Sequence, residues 1–126
     1  MFINGTPHEI TLYFESDCTF DSSTRKLVLN ENAIPLFKIP AGKALNAKTQ
    51  VRELDNSEFP FLKGAVEFVE ADSLPGEDEI VIVSNLYRSA LKDLGISTQR
   101  LATVGGTVYA SVDNPRPVGC TYLSVG

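Results

Sequence analysis

The sequence predicts an α+β fold, a mainly antiparallel twisted β-sheet packed with one short α-helix. Three observations carry this expectation. In His8–Phe14, Ile10, Leu12 and Phe14 alternate with Glu9, Thr11 and Tyr13, the period of a half-buried strand. Ile80-Val81-Ile82-Val83 is continuously β-branched, which suits a strand buried on both faces. Between Ser84, a natural N-cap, and Gly95, a natural C′ residue, Leu86, Tyr87, Ala90, Leu91 and Leu94 recur on one helical face. Arg88, Lys92 and Asp93 are left outside.

The remaining elements follow in order. Asp17–Ser23 is rich in short polar side chains that compete with ladder hydrogen bonds, and reads as a loop. Lys26–Leu29 and Ile34–Ile39 are strand candidates, with Pro35 making the second an edge or irregular strand. Pro40–Lys43 reads as a turn, Thr49–Leu54 as a strand, Phe59–Leu62 as an apolar packing segment, and Ala65–Val69 as another strand. Leu74-Pro75-Gly76 breaks the chain before the β-branched run. A second short helix is conceivable over Thr98–Ala102. Gly105-Gly106 reads as a tight turn, and the C-terminus as a hairpin: Thr107–Val112, a Pro-rich turn over Asp113–Pro117, then Val118–Leu123.

A chain of 126 residues suits one domain, residues 1–126, and its 43% hydrophobic and 21% charged content is that of a globular protein. No apolar run approaches the ~20 residues of a bilayer span, so no membrane association is expected. The opening Met1–Gly5 has no basic region before an apolar stretch, so no export signal is expected and the protein is placed in the cytoplasm. There Cys18 and Cys120 are expected as free thiols. A net charge of −5 argues against a grip on duplex nucleic acid, yet leaves room for a small anion held by a few local groups.

No catalytic constellation emerges. One histidine, His8, and two distant cysteines do not make a zinc site, and no metal or cofactor is expected. The acidic stretch Glu67–Glu79 lacks the ligand spacing of a calcium loop and reads as a solvated face. Gly105-Gly106 has neither nucleotide-binding glycine pattern. The junction Val83–Arg88 is the most informative segment, because a strand running into a helix leaves free N–H groups that favour an anion. Ser84 and Asn85 offer donors there, Tyr87 a stacking face and Arg88 a charge. Plain structural roles are open for each: cap, core and solvated surface. Arg116, held between Pro115 and Pro117, is presented at low entropic cost, and Lys43 is a further cation in a turn.

Three segments resemble a family of small phage-encoded proteins. Ile3-Asn4-Gly5-Thr6-Pro7-His8-Glu9-Ile10-Thr11-Leu12-Tyr13 is similar to its N-L-T-P-H-x-[IV]-T-[IL] opening strand. Gly64–Glu67, Leu74-Pro75 and Ile80–Leu86 are similar to its G-x-V…L-P…I-V-S-x-L core. Val118–Leu123 is similar to its I-G-C-x-x-L end. The family resembles in turn the first described Thoeris anti-defence proteins, phage sponges that bind cyclic ADP-ribose-type signals, and in some cases cyclic oligonucleotides, without cleaving them, as dimers or hexamers. The chain departs from the family where Asn46 stands at the place of an arginine after the P-x-G turn. It departs again where Ser111, Val112 and Asp113 stand at the place of R-D-E.

The resemblance implies a non-enzymatic protein that sequesters a small anionic nucleotide, forms a homo-oligomer and acts in a host cytoplasm. The expected ligand-binding residues are Ser84, Asn85, Tyr87, Arg88, Asp113, Arg116 and Lys43. The competing expectation is an interaction module, such as a virion accessory protein or an inhibitor of a host protein, using edge strands and Phe59–Leu62 as its contact surface.

Overall fold

The computed structural model describes residues 2–53 and 63–126. It has the expected α+β class, with eleven strands among the described residues and one α-helix, α1 (Asn85–Asp93). The central sheet has the order β1 (Phe2–Asn4), β8 (Ile80–Ile82), β9 (Leu101–Gly105), β11 (Tyr122–Val125). β8 pairs parallel with the edge strand β1 and with β9, and β11 closes the other edge antiparallel to β9. The parallel pair β8–β9 follows from α1: a helical crossover returns the chain to the same end of the sheet. Residues 80–82 therefore lie between two neighbours, as their unbroken β-branched character requires.

Alternate residues of this run serve two cores. Val81 and Val83 pack under α1 with Tyr87, Leu91 and Leu101. Ile82 faces the other way and packs with Ile10, Ile39, Ala102 and Cys120. The second core is covered by β2 (Ile10–Leu12), paired antiparallel with β5 (Phe37–Ile39). On its other side β2 takes Cys120: the Cys120 amide donates to the Thr11 carbonyl at 2.9 Å, and the Tyr13 amide to the Cys120 carbonyl at 2.9 Å. Gly119 makes this approach possible, since a Cβ there would lie 2.6 Å from the Thr11 carbonyl oxygen.

Two smaller sheets complete the fold, β3 (Cys18–Asp21) with β4 (Lys26–Leu29) and β10 (Val108–Tyr109), and the hairpin of β6 (Ala47–Glu53) with β7 (Lys63–Ala71). Among the described residues, four of the seven strand pairings are antiparallel.

Several expectations are corrected. Strand β2 stops at Leu12, and Phe14 is 53% exposed ahead of a 3-10 turn at Glu15–Asp17. The expected loop at Asp17–Ser23 contains β3. The Asp21 carboxylate closes the β3–β4 connection by accepting from the Thr24 amide at 3.0 Å and the Ser23 hydroxyl at 3.0 Å. Pro40–Lys43 is an irregular stretch laid along the N-terminal loop, with the Gly42 amide donating to the Thr6 carbonyl at 2.9 Å. The possible helix at Thr98–Ala102 is instead a turn entering β9. The C-terminal hairpin reduces to one bridge, Val108 with Gly119, because β10 pairs with β4 and β11 with β9. Leu86 is 61% exposed, outside the helix's buried face. Leu54 and Phe59–Leu62 lie outside the described residues.

Candidate functional site

A cleft of about 620 Å³ opens where β8 passes into α1, on the side of the sheet away from the helix. Ile10, Ile82, Val104 and Val118 give it an apolar lining, and Thr6, His8, Glu9, Ser84, Thr107 and Arg116 give it polar groups. Three local structures hold these groups.

The first is the start of α1. Ser84 has extended backbone angles and its hydroxyl accepts from the Tyr87 amide at 3.1 Å, an ordinary N-cap. The amides of Asn85 and Leu86 have no acceptor within the helix. No acidic residue stands in the first turn, so nothing on the helix itself competes for this partial positive charge.

The second is a knot around Asn4, which is 8% exposed. Its side-chain amide donates to the His8 carbonyl at 2.8 Å and the Pro40 carbonyl at 2.9 Å. Its oxygen accepts from the Thr6 amide at 3.0 Å and the Thr6 hydroxyl at 2.7 Å. This fixes Thr6 and His8 at the cleft.

The third is the loop bearing Arg116. It is closed by Val108, whose amide donates to the Gly119 carbonyl at 2.9 Å and whose carbonyl accepts from the Val118 amide at 2.8 Å. Within it the Arg116 amide donates to the Asn114 side-chain oxygen at 3.0 Å.

Of the residues expected from the sequence, Ser84 and Arg116 come together at this cleft, with Asn85 exposed beside Ser84. The others go elsewhere. Tyr87 is 1% exposed, and its hydroxyl donates to the Asp72 carbonyl at 2.5 Å, so its ring is core and not a stacking face. Desolvation, with the Asp72 charge second, raises its pKa. Arg88 is half-buried and reaches the Thr103 hydroxyl at 3.5 Å. Thr103 alternates with Val104, which lines the cleft, so Arg88 belongs to the helix side of the sheet. Asp113 is exposed and outside the cleft lining. Lys43 lines a separate cleft of about 520 Å³ with Asn46 and Asp72. There Asn46, at the family arginine's place, exchanges backbone bonds with Asp72: its amide donates to the Asp72 carboxylate at 2.7 Å and its carbonyl accepts from the Asp72 amide at 2.8 Å.

Thr6, His8, Glu9, Thr107 and Cys120 also line the cleft and are not among the residues expected from the sequence. Only the Thr6–His8 motif carried a signal, and it was a signal of resemblance rather than of position. Cys120 is 3% exposed, and burial pushes its thiol pKa up. Its sulfur lies 3.7 Å from the Thr11 carbonyl oxygen as a donor, so the cleft holds a thiol disfavoured as thiolate. Among the described residues, no three His, Cys, Asp or Glu side chains group as a metal site, and no helix is long and apolar enough to cross a membrane. Compared with protein-family models, curated proteins and solved structures, the chain matches none.

Proposed function

We propose that the chain binds a small anionic nucleotide in the 620 Å³ cleft and holds it without chemistry, sequestering it in the cytoplasm of a host cell. The observation that carries this reading is the meeting of Arg116 with an acid-free helix start at Ser84, on an apolar cleft. A phosphate gains charge-assisted bonds from the guanidinium and from free helix amides. The apolar lining suits a nucleobase, and Glu9, Thr6 and Thr107 suit ribose hydroxyls. The volume falls in the range of small-ligand sites. A cyclic ADP-ribose-type molecule or a cyclic oligonucleotide combines these features.

The test is a thermal-shift screen of cyclic ADP-ribose isomers and cyclic dinucleotides, followed by calorimetry and chromatography of the released ligand. Arg116→Gln weakens binding by about 1.5–3 kcal/mol, roughly ten- to a hundredfold, while Arg88→Ala, on the other face, leaves it unchanged. The ligand is recovered intact. A cleaved product would make the protein an enzyme, and an unaltered affinity in Arg116→Gln would move the site.

A second reading, self-association or docking on a host protein, is supported by apolar side chains around β2 and β5. Ile34 is 75% exposed, and Leu36, Phe37 and Phe14 are each 53% exposed. Phe37 pairs with Leu12 and the Leu36 amide donates to the Leu12 carbonyl, which sets Leu36 and Phe37 along this strand pair, and apolar side chains exposed together suit a partner surface. Sedimentation of wild type and Phe37→Glu tests it: a homo-oligomer that falls to monomer supports the surface, and a wild-type monomer with no nucleotide bound favours a foreign partner.

A further inference from the structure

We propose that Lys26, a residue of β4 outside the cleft lining, positions Arg116 at the cleft. The inference rests on the reading of that cleft as a nucleotide site.

The loop between Val108 and Val118 has little of its own to hold it. Beyond the closing pair at Val108, its internal bonds are the Asn114 amide to the Ser111 carbonyl at 3.2 Å and the Arg116 amide to the Asn114 side chain at 3.0 Å. Residues 110–113 and 115–117 are exposed, so no apolar side chain among them anchors it. Pro115 and Pro117 fix two φ angles but do not place the loop relative to the rest of the protein.

Lys26 supplies the missing anchor. Its ammonium donates to the Val112 carbonyl at 3.2 Å and the Asn114 carbonyl at 3.4 Å, and it sits 4.6 Å from the centre of the Tyr109 ring. The ammonium thus ties two carbonyls on one side of the loop while the ring holds it from below. The tie continues from Asn114 through its side chain to the Arg116 amide. Lys26 is delivered to this point by the parallel pairing of β4 with β10, which sets Leu27 beside Val108 and Val28 beside Tyr109. A cation more than eighty residues away in sequence therefore decides where the cleft's own cation stands.

The experiment compares wild type, Lys26→Met and Lys26→Arg, each alone and with Arg116→Gln, using inorganic pyrophosphate and cyclic ADP-ribose as probes. Backbone ¹⁵N relaxation gives the loop's order without any ligand. The Asn114 and Arg116 amides are expected near an order parameter of about 0.85 in wild type and Lys26→Arg, and below about 0.6 in Lys26→Met, with α1 unchanged. Lys26→Met is expected to weaken probe binding roughly tenfold, Lys26→Arg to restore most of it, and Lys26→Met to change affinity less than about twofold when Arg116 is already Gln. Equal losses in both backgrounds, or an unchanged loop in Lys26→Met, overturn the proposal. If wild type binds neither probe, the nucleotide reading of the cleft fails separately, and the relaxation data still decide whether Lys26 holds the loop.

Discussion

Asn4 uses its whole side-chain amide: both donated bonds go to carbonyls, of His8 and Pro40, and its oxygen takes two bonds from Thr6. The Asn4 and Thr6 side chains of the Asn-x-Thr-Pro-His sequence are thereby explained as a loop knot, which His8 joins through its backbone carbonyl. It specifies a local structure that sets Thr6 and His8 in the cleft wall. Gly42 belongs to the same knot, because a Cβ there would stand 1.9 Å from the Asn4 carbonyl oxygen. Asn4→Ala takes the donor from the Pro40 carbonyl and the acceptor from the Thr6 amide, and is expected to cost about 2–4 kcal/mol in urea unfolding. A loss under about 0.5 kcal/mol would show the knot to be incidental. Cys18 and Cys120 are unpaired. Desolvation raises both pKa values, with the charges of Asp17 and Glu15 adding to the rise at Cys18. Alkylation at neutral pH is expected to be slow at both, with half-buried Cys18 reacting before buried Cys120, and unfolding under non-reducing conditions should release two labelled thiols. A linked, unlabelled pair in mass spectrometry would contradict this.

At the scale of elements, the unit β8–α1–β9 organises the molecule. Val81 is 0% exposed and pairs with Ile3 on one side and Leu101 on the other. Val81→Asp places an unpaired carboxylate there and is expected to cost on the order of 4 kcal/mol or to prevent folding. Soluble protein with an unchanged melting temperature would refute the placement of β8. This unit was legible in the sequence because its signals are local: a β-branched run, a serine cap and Gly95, which adopts φ 74°. Its parallel pairing was not read, although a strand–helix–strand order with an apolar run is the pattern that produces it. The expected hairpin after Gly106 failed because β10 and β11 each find a distant partner, and such pairing leaves no local mark. The site divides in the same way. Ser84 and Arg116 were legible from a cap and a proline-flanked turn, whereas helical periodicity could not say that Arg88 folds toward Thr103 or that the Tyr87 hydroxyl is taken up by Asp72.

For the whole molecule, the pH range of stability follows from which groups folding perturbs. Hydrogen bonds from the Glu79 and Glu77 amides hold the Glu79 carboxyl below its ordinary 4.5, and bonds from the Thr24 and Ser23 hydroxyls hold Asp21 below 3.8. A lowered carboxyl pKa adds stability that is present above the unfolded value and lost as pH falls through the folded one. On the alkaline side, desolvation raises Cys18 and Cys120 above 9.0 and Tyr87 above 10.0. A raised pKa adds stability that is complete below the unfolded value and lost as pH rises through the folded one. The melting temperature is therefore expected to be flat between about pH 5 and 8, to fall below the ordinary carboxyl values, and to fall above about 9. The two limbs have separate structural owners, so they should respond to separate substitutions. Glu79→Gln removes a titrating group from the turn at Gly76 and should make the acid limb shallower without touching the alkaline one. Tyr87→Phe loses the bond to the Asp72 carbonyl, lowering the plateau, but it should make the alkaline limb shallower. Melting curves of wild type and both variants from pH 3 to 10.5 measure the two limbs in each protein. An acid limb unchanged in Glu79→Gln would mean that the bonded turn at Glu77–Glu79 is not part of the cooperative fold, whereas an alkaline limb unchanged in Tyr87→Phe would assign that limb to the thiols.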